Sequence, residues 1–382
     1  MAENFKHTDL RLVSPNFDSK LMDAIIELNH LRRMRLFGST LPFLFFQLKE
    51  IFHLLESVGS ARIEGNRTTV SEYIEQKLEH KEHSSERFSE IANVEQAMSY
   101  IESCVDVGSK ISHKFIRELH HLSVDNLTEE GDKTPGNYRT WEVKIAKSKH
   151  IPPGQHLVQS YMDELIEFIN LSDEERYDLI KIAISHHRFV WIHPFGNGNG
   201  RVVRLLTYAL LIKYGFRVKH GQLINPTAVF CNDREKYYEK LSIADQGTEE
   251  SLLNWCEYVL TGICAEISKV NKLLDHEYLS NNILKPAIAI GRERGLVDKQ
   301  EESVLKLGID KQVFKASDLS DILPKLSPRQ RTHLIMKLKS NRLIEPLKKG
   351  GREYNVSFNN NYLMRSLIQM LEKERFIPPI DE

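Results

Sequence analysis

The residues with the most chemical potential fall in one run, Trp191-Ile192-His193-Pro194-Phe195-Gly196-Asn197-Gly198-Asn199-Gly200-Arg201-Val202-Val203-Arg204. Glycines at alternate positions let successive backbone N–H groups turn inward without Cβ clashes, and a helical pattern follows, bringing the positive end of a helix to the same place. Such a nest suits phosphates. Arg201 and Arg204 stand three apart on the first turn of that helix, where two bidentate guanidinium groups imply a di- or triphosphate. His193 sits at the entry, and an imidazole with an unperturbed pKa near ~6.5 is the candidate general base for an incoming hydroxyl. Phe195 is expected to face the core and anchor the loop.

The same residues admit other chemistries. A Gly-Asn-Gly run by itself is an ordinary turn between helices, and it is the flanking histidine and both arginines that set this one apart. No Lys-Ser/Thr follows, which excludes a Walker loop, and a G-x-G-x-x-G kinase loop would need glycine where Arg201 or Val203 stands. His186, His187 and His193 could meet a metal by helical spacing, but no carboxylate lies beside them in the His-Glu-x-x-His manner.

These groups must be held by helices. Apolar residues recur at helical intervals from Ser19 to Leu55, broken near Ser39–Pro42, then in 71–78, 89–105 and from Ser112, before a polar loop over 125–135. Three more helices are predicted over 157–169, 173–191 and 201–214, the last opening directly after the glycine turn. Between them, Tyr138, Trp141, Val143 and Ile145 precede Pro152-Pro153-Gly154, which predicts a short extended segment, a hairpin. From Val313 to Phe358 the order reads helix, turn, helix, then a glycine-broken strand pair, the pattern of a winged helix.

The run from His193 to Arg204 resembles the signature of the Fic family, His-x-Phe-x-(Asp/Glu)-Gly-Asn-Gly-Arg-x-x-Arg, at every fixed position but the acidic one. The resemblance implies transfer of AMP from ATP to a protein Ser, Thr or Tyr hydroxyl. His193 would take the hydroxyl proton, Gly198, Asn199 and Gly200 would bind the α- and β-phosphates, and Arg201 and Arg204 would hold the phosphate tail. The acidic residue that coordinates Mg²⁺ (or Mn²⁺) in the family is Asn197 here; an amide oxygen brings no charge to a hard cation. Either the nucleotide carries the metal, or the activity is weak or altered. Upstream, Ser60-x-x-x-Glu64-Gly65 closes a helix with residues common at C-termini, and it also resembles the Fic inhibitory helix, (Ser/Thr)-x-x-x-Glu-(Gly/Asn). A Glu64–Arg204 pair would occupy the place of the γ-phosphate; in some family members the same glutamate supports AMP removal, which leaves the balance of addition and removal open. By the same resemblance, residues 136–153 form a flap that docks the target as an added strand, and Asn232 and Tyr237 contact adenosine.

Composition sets the frame. In 382 residues, 41% hydrophobic, burial can support two or three packed units, and a formal charge of −1 gives no chain-wide reason to expect a polyanionic partner. Cys104, Cys231, Cys256 and Cys264 lack C-x-x-C spacing and are expected to be buried free thiols. No signal-like start or membrane-length apolar run is present, so a cytoplasmic protein is expected. The expected architecture is mainly α: a helical region with the inhibitory helix over 1–108, a Fic-type bundle with a small β-hairpin flap over 109–272, and a winged-helix domain over 273–382. The basic tilt of that last domain, from Lys325 to Arg352, suits DNA, a protein partner or a second copy of the chain. The rival to the enzyme is a catalytically weak Fic-fold regulator or adaptor acting through the winged helix. A second rival transfers another group, such as phosphate or UMP.

Overall fold

The computed structural model describes residues 5–33, 39–79, 85–145, 148–218, 224, 226–359 and 362–376. They are mostly helical, with one small antiparallel sheet. The contacts gather the chain into two compact units: 1–35, 56–68 and 84–268 in the first, and 36–55, 69–83 and 269–382 in the second.

The first unit holds α1 (Lys20–Arg33), the end of α2 (Pro42–Glu64), and, after α3 (Val70–Glu79) of the second unit, α4 (Glu86–Cys104), α5 (His113–Val124), α6 (Val158–Asn170), α7 (Asp178–Ile192), α8 (Asn199–Lys213), α9 (Pro226–Cys231), α10 (Arg234–Ala244) and α11 (Glu249–Asn271). α7 and α8 form its centre. Both are buried on every face, as a helix wrapped by others must be, with α6 against α7 and α4 and α5 against α8. Ser112 caps α5 by accepting from Phe115 N–H at 3.2 Å. α2 ends in a Schellman turn: Asn66 N–H reaches Ala61 C=O, Gly65 N–H reaches Arg62 C=O, and Gly65 takes φ +108°.

Among the described residues of 136–153, where a hairpin is expected, no strand lies. Buried Arg139 takes up the carbonyls a partner strand would use, donating to His193, Trp141 and Pro153, while Pro152 and Pro153 have no N–H to offer a ladder. Tyr138 turns into the core instead. The cysteines are all free as expected, but only Cys256 is buried; Cys104 is exposed.

In the second unit, α12 (His276–Tyr278) runs through a π-turn (Leu279–Leu284) into α13 (Lys285–Glu293), followed by α14 (Lys299–Lys311), β1 (Phe314–Lys315), α15 (Leu319–Ile322), α16 (Pro328–Ser340), β2 (Ile344–Pro346), β3 (Glu353–Val356) and α17 (Leu363–Lys373). The strand order is β1-β3-β2, with Phe314 opposite Tyr354 and Ile344 opposite Val356. Among the described residues no helix is long and apolar enough to cross a membrane.

Candidate active site

α7 stops at His193, whose backbone is left-handed (φ 50°, ψ 61°), and Gly198 makes a second left-handed turn at φ +73° before α8 starts. A β-carbon in that region is strained unless its surroundings hold it there. The holding residue is Asn199: its Oδ1 accepts from Phe195 N–H at 3.0 Å and its Nδ2 donates to Phe195 C=O at 2.9 Å. Phe195 is buried as expected and stacks on the His120 ring at 3.8 Å. Val202 N–H is the first to reach back, to Gly198 C=O, so the amides of Asn199, Gly200 and Arg201 have no intrahelical partner and form the positive mouth of α8.

A carboxylate lies in that mouth. Glu64 Oε1 accepts from Arg204 Nη2 at 2.7 Å, and a β-carbon built on Gly200 would stand 2.0 Å from the same oxygen. Arg204 is buried and further held by Ser60, its Nε donating to the hydroxyl at 2.9 Å and its Nη2 to the carbonyl at 3.0 Å. Burial raises the Glu64 pKa, but the ion pair and hydrogen bond from Arg204, with Arg201 and Arg234 behind it, outweigh burial and hold the carboxyl below its usual range. Ser60, Glu64, Gly200 and Arg204 are thus brought together.

His193 stands at the rim, half-buried, its Nδ1 3.4 Å from Val190 C=O. Only an N–H can donate to that carbonyl, so the lone pair sits on Nε2. Burial, helped by the charge of Arg139, pushes its pKa down to about 4, so the ring is neutral at pH 7 and able to accept a proton.

Other expected residues fall elsewhere. Arg201 is fully buried and turned toward the end of α5, donating to the carbonyls of Ser123 and Glu130, with Glu90 at 3.6 Å; it does not reach for a phosphate tail. Asn199 spends its side chain closing the loop. Asn197 accepts from Gly198 N–H at its Oδ1, at 2.7 Å, and donates through its Nδ2 to Gly131 C=O, so it has only one uncharged, already hydrogen-bonded oxygen to offer a metal, and among the described residues no group of three or more His, Cys, Asp or Glu could hold one. His186 is bonded to Thr207 and Tyr237, and His187 to Asp245, so they pack the core. Tyr237 is buried with its hydroxyl on His186, not open to a nucleoside, whereas Asn232 is exposed on the turn before α10. Spacing gave no hint of Asp132 or His120. Asp132 Oδ2 accepts from Asn197 N–H at 2.8 Å; His120 accepts from Gly136 N–H at Nδ1 and lies 3.2 Å from Asn197 C=O at Nε2. A legible sign of the first was Asp132-Lys133-Thr134, a turn in which the carboxylate accepts from Thr134 N–H.

A mainly helical bundle with a left-handed glycine loop opening a buried helix, a histidine at its rim and an arginine beneath has the geometry of an anion site. Residues 110–211 match the model of the Fic/DOC family, so that stretch of the chain is a Fic domain. It is 27% identical over 248 residues to the protein adenylyltransferase Fic of Nematostella vectensis, covering 64% of this chain and 52% of that one. It is 30% identical over 203 residues to the Aedes aegypti protein of the same name, covering 52% and 37%. The chain thus spans about half or less of these relatives' length. The fold is shared with a Fic family protein from Desulfovibrio desulfuricans G20, at TM-score 0.56 and 16% identity over 92% of this chain and 98% of that one. It is shared too with a Fic domain containing signaling protein from Bacteroides thetaiotaomicron VPI-5482, at TM-score 0.52 and 18% identity over 67% and 97%.

Proposed function

We propose that this chain is a protein adenylyltransferase held in an off state by Glu64. The observation that carries the reading is the Glu64 carboxylate paired with Arg204 over Gly200, an anion resting in an anion site. An ATP polyphosphate would compete for the same mouth, with its tail on Arg204 and its inner phosphates on the free amides of Asn199, Gly200 and Arg201 at the first turn of α8. The target hydroxyl then attacks the α-phosphorus, the bond to the β-phosphate oxygen breaks, pyrophosphate leaves, and the hydroxyl proton passes to His193 Nε2. A pKa near 4 makes a weak base at rest, but polyphosphate charge beside the ring favours imidazolium and raises it. The donor set around Asn197 does not fit a protein-held Mg²⁺ or Mn²⁺, and no step is assigned to a metal. Arg201 and Asn199 serve by shaping the loop, and Asn232, with the exposed Tyr238 beneath Arg234, offers the adenine side. The target lies along residues 136–153, and the protein acts in the cytoplasm, where free cysteines stay reduced.

Glu64→Gly, incubated with ATP labelled at the α-phosphate, is expected to label itself or a target more than wild type does, and His193→Ala in that background to abolish labelling. Equal labelling of wild type and Glu64→Gly would remove the off state; labelling that survives His193→Ala would remove the mechanism. The engaged amide of Asn197 favours a second reading, a weak catalyst serving as adaptor, which predicts no label in any variant.

A further inference from the structure

We propose that the exposed face of α16 and the β2–β3 loop form a binding site for the phosphate backbone of duplex DNA. From Lys325 to Arg352 the sequence has nine lysines and arginines against one carboxylate, Glu345, in a chain whose total formal charge is −1. The fold sorts these cations. Leu334, Ile335 and Leu338 turn α16 inward, Lys337 is neutralised by Asp298 and Glu301, and Arg331 donates to Leu326 C=O. Lys325, Arg329 and Lys339 on and before the helix, and Lys348, Lys349 and Arg352 on the loop, remain exposed and form no ion pair among the described residues.

α16 packs on β2, whose hairpin carries the other three cations, so the two groups lie side by side. A helix of 13 residues, roughly 20 Å long, fits a major groove about 12 Å wide, and the adjoining loop can reach a flanking strand of phosphates. Little apolar surface accompanies the charge, Met336 and Leu347 being the large exposed apolar side chains here, which suits phosphates better than a protein face. Arg329, Gln330 and His333, exposed near the start of the helix, are the side chains placed to meet base edges.

The test is fluorescence anisotropy of the full chain with a labelled mixed-sequence duplex of about 24 base pairs. Six phosphate contacts give a slope of log K on log salt near about −5, a loss of about 10³-fold between roughly 50 and 200 mM KCl. The pairs Arg329→Glu with Lys339→Glu, and Lys348→Glu with Lys349→Glu, should each weaken binding by about tenfold or more and flatten the slope by about two units. Arg11→Glu with Lys110→Glu, an equal charge change on two exposed residues of the other unit, should leave it unchanged, and circular dichroism melting checks that each variant folds. No binding at low salt, reversal variants that bind like wild type, or a single strand bound as tightly as the duplex would overturn the site. The proposal stands independently of AMP transfer, so either can fail alone.

Discussion

His120 does more for the site than its absence from any motif suggests. It is fully buried, stacked on Phe195, and its two ring nitrogens hold two different backbones: Gly136 N–H donates to Nδ1, and Nε2 faces Asn197 C=O. That pairing requires the neutral ring, and burial keeps it neutral, holding its pKa below the usual range against the pull of Asp132. His120→Phe keeps the stack and leaves both partners unsatisfied, at a cost of about 1–3 kcal/mol. It should lower the melting temperature and cut transfer about tenfold by loosening the loop. Because the native ring binds fewer protons than the unfolded one, its contribution is present above the unfolded pKa and is lost as pH falls through the depressed native value; the variant should therefore show a flatter decline of stability below about pH 6. An unaltered melting temperature and rate would reduce His120 to packing. Gly200 gives a sharper test. A β-carbon there collides with Glu64 and stands 3.1 Å from Arg204 Nη1. If the mouth exists only to receive Glu64, Gly200→Ala should mimic Glu64→Gly and raise labelling. If it receives phosphate, as expected, the alanine should abolish labelling in the Glu64→Gly background as well, read by the same α-phosphate assay.

At the scale of one helix, Glu56, Ser60 and Glu64 recur every fourth residue along α2 and place one side chain per turn along Arg204 and its surroundings. Glu56 is the surprise of the three. Buried against Thr227, whose N–H it accepts at 3.0 Å, its carboxyl is pushed up to about 8 by burial, against the opposing pull of Thr227 and Arg204. Such a group binds more protons in the folded chain than in the unfolded one, so stability falls as pH rises from about 4.5 toward 8. Glu56→Gln, neutral at every pH, should be more stable than wild type at pH 8 by on the order of 2–3 kcal/mol and should lose that slope, measured by urea melts across the range. A parallel slope in both proteins would assign the titration to another group. The sequence pattern could show Ser60 and Glu64 because a helix end and a short motif are local. It showed the order of helices for the same reason, since the 3.6-residue period survives in each one. It could not show that Arg201 turns away, that Tyr237 is spent on His186, or that Arg139 unpicks the hairpin. Each of those depends on a carbonyl or ring brought in by packing from a distant stretch, 54 residues away for Arg139 and His193.

For the whole molecule, the energetic question is what nucleotide binding must displace. A ligand that binds only the folded state stabilises it by RT ln(1 + [L]/Kd), about 1.4 kcal/mol for each tenfold change in affinity. Under the proposed off state, ATP entering wild type has to break the Glu64–Arg204 pair, a part-buried contact whose loss leaves the carboxylate to find water, whereas Glu64→Gly removes that competitor. At equal ATP, the variant should therefore gain more in melting temperature than wild type, by about 2–4 °C per tenfold difference in affinity for a unit of this size. Metal separates two sources of the same gain. With Asn197 offering only an uncharged oxygen already bonded to Gly198, and no group of three or more His, Cys, Asp or Glu able to hold a metal among the described residues, Mg²⁺ or Mn²⁺ alone should leave both melting curves unmoved and should act only when nucleotide is present to carry it. A shift with metal alone would mean that Asn197 opens its turn to ligate, and Asn197→Asp would then enlarge that shift. If the loop holds as its hydrogen bonds indicate, the aspartate instead loses the amide donation to Gly131, and its effect appears only in the presence of nucleotide, as tighter metal-dependent binding.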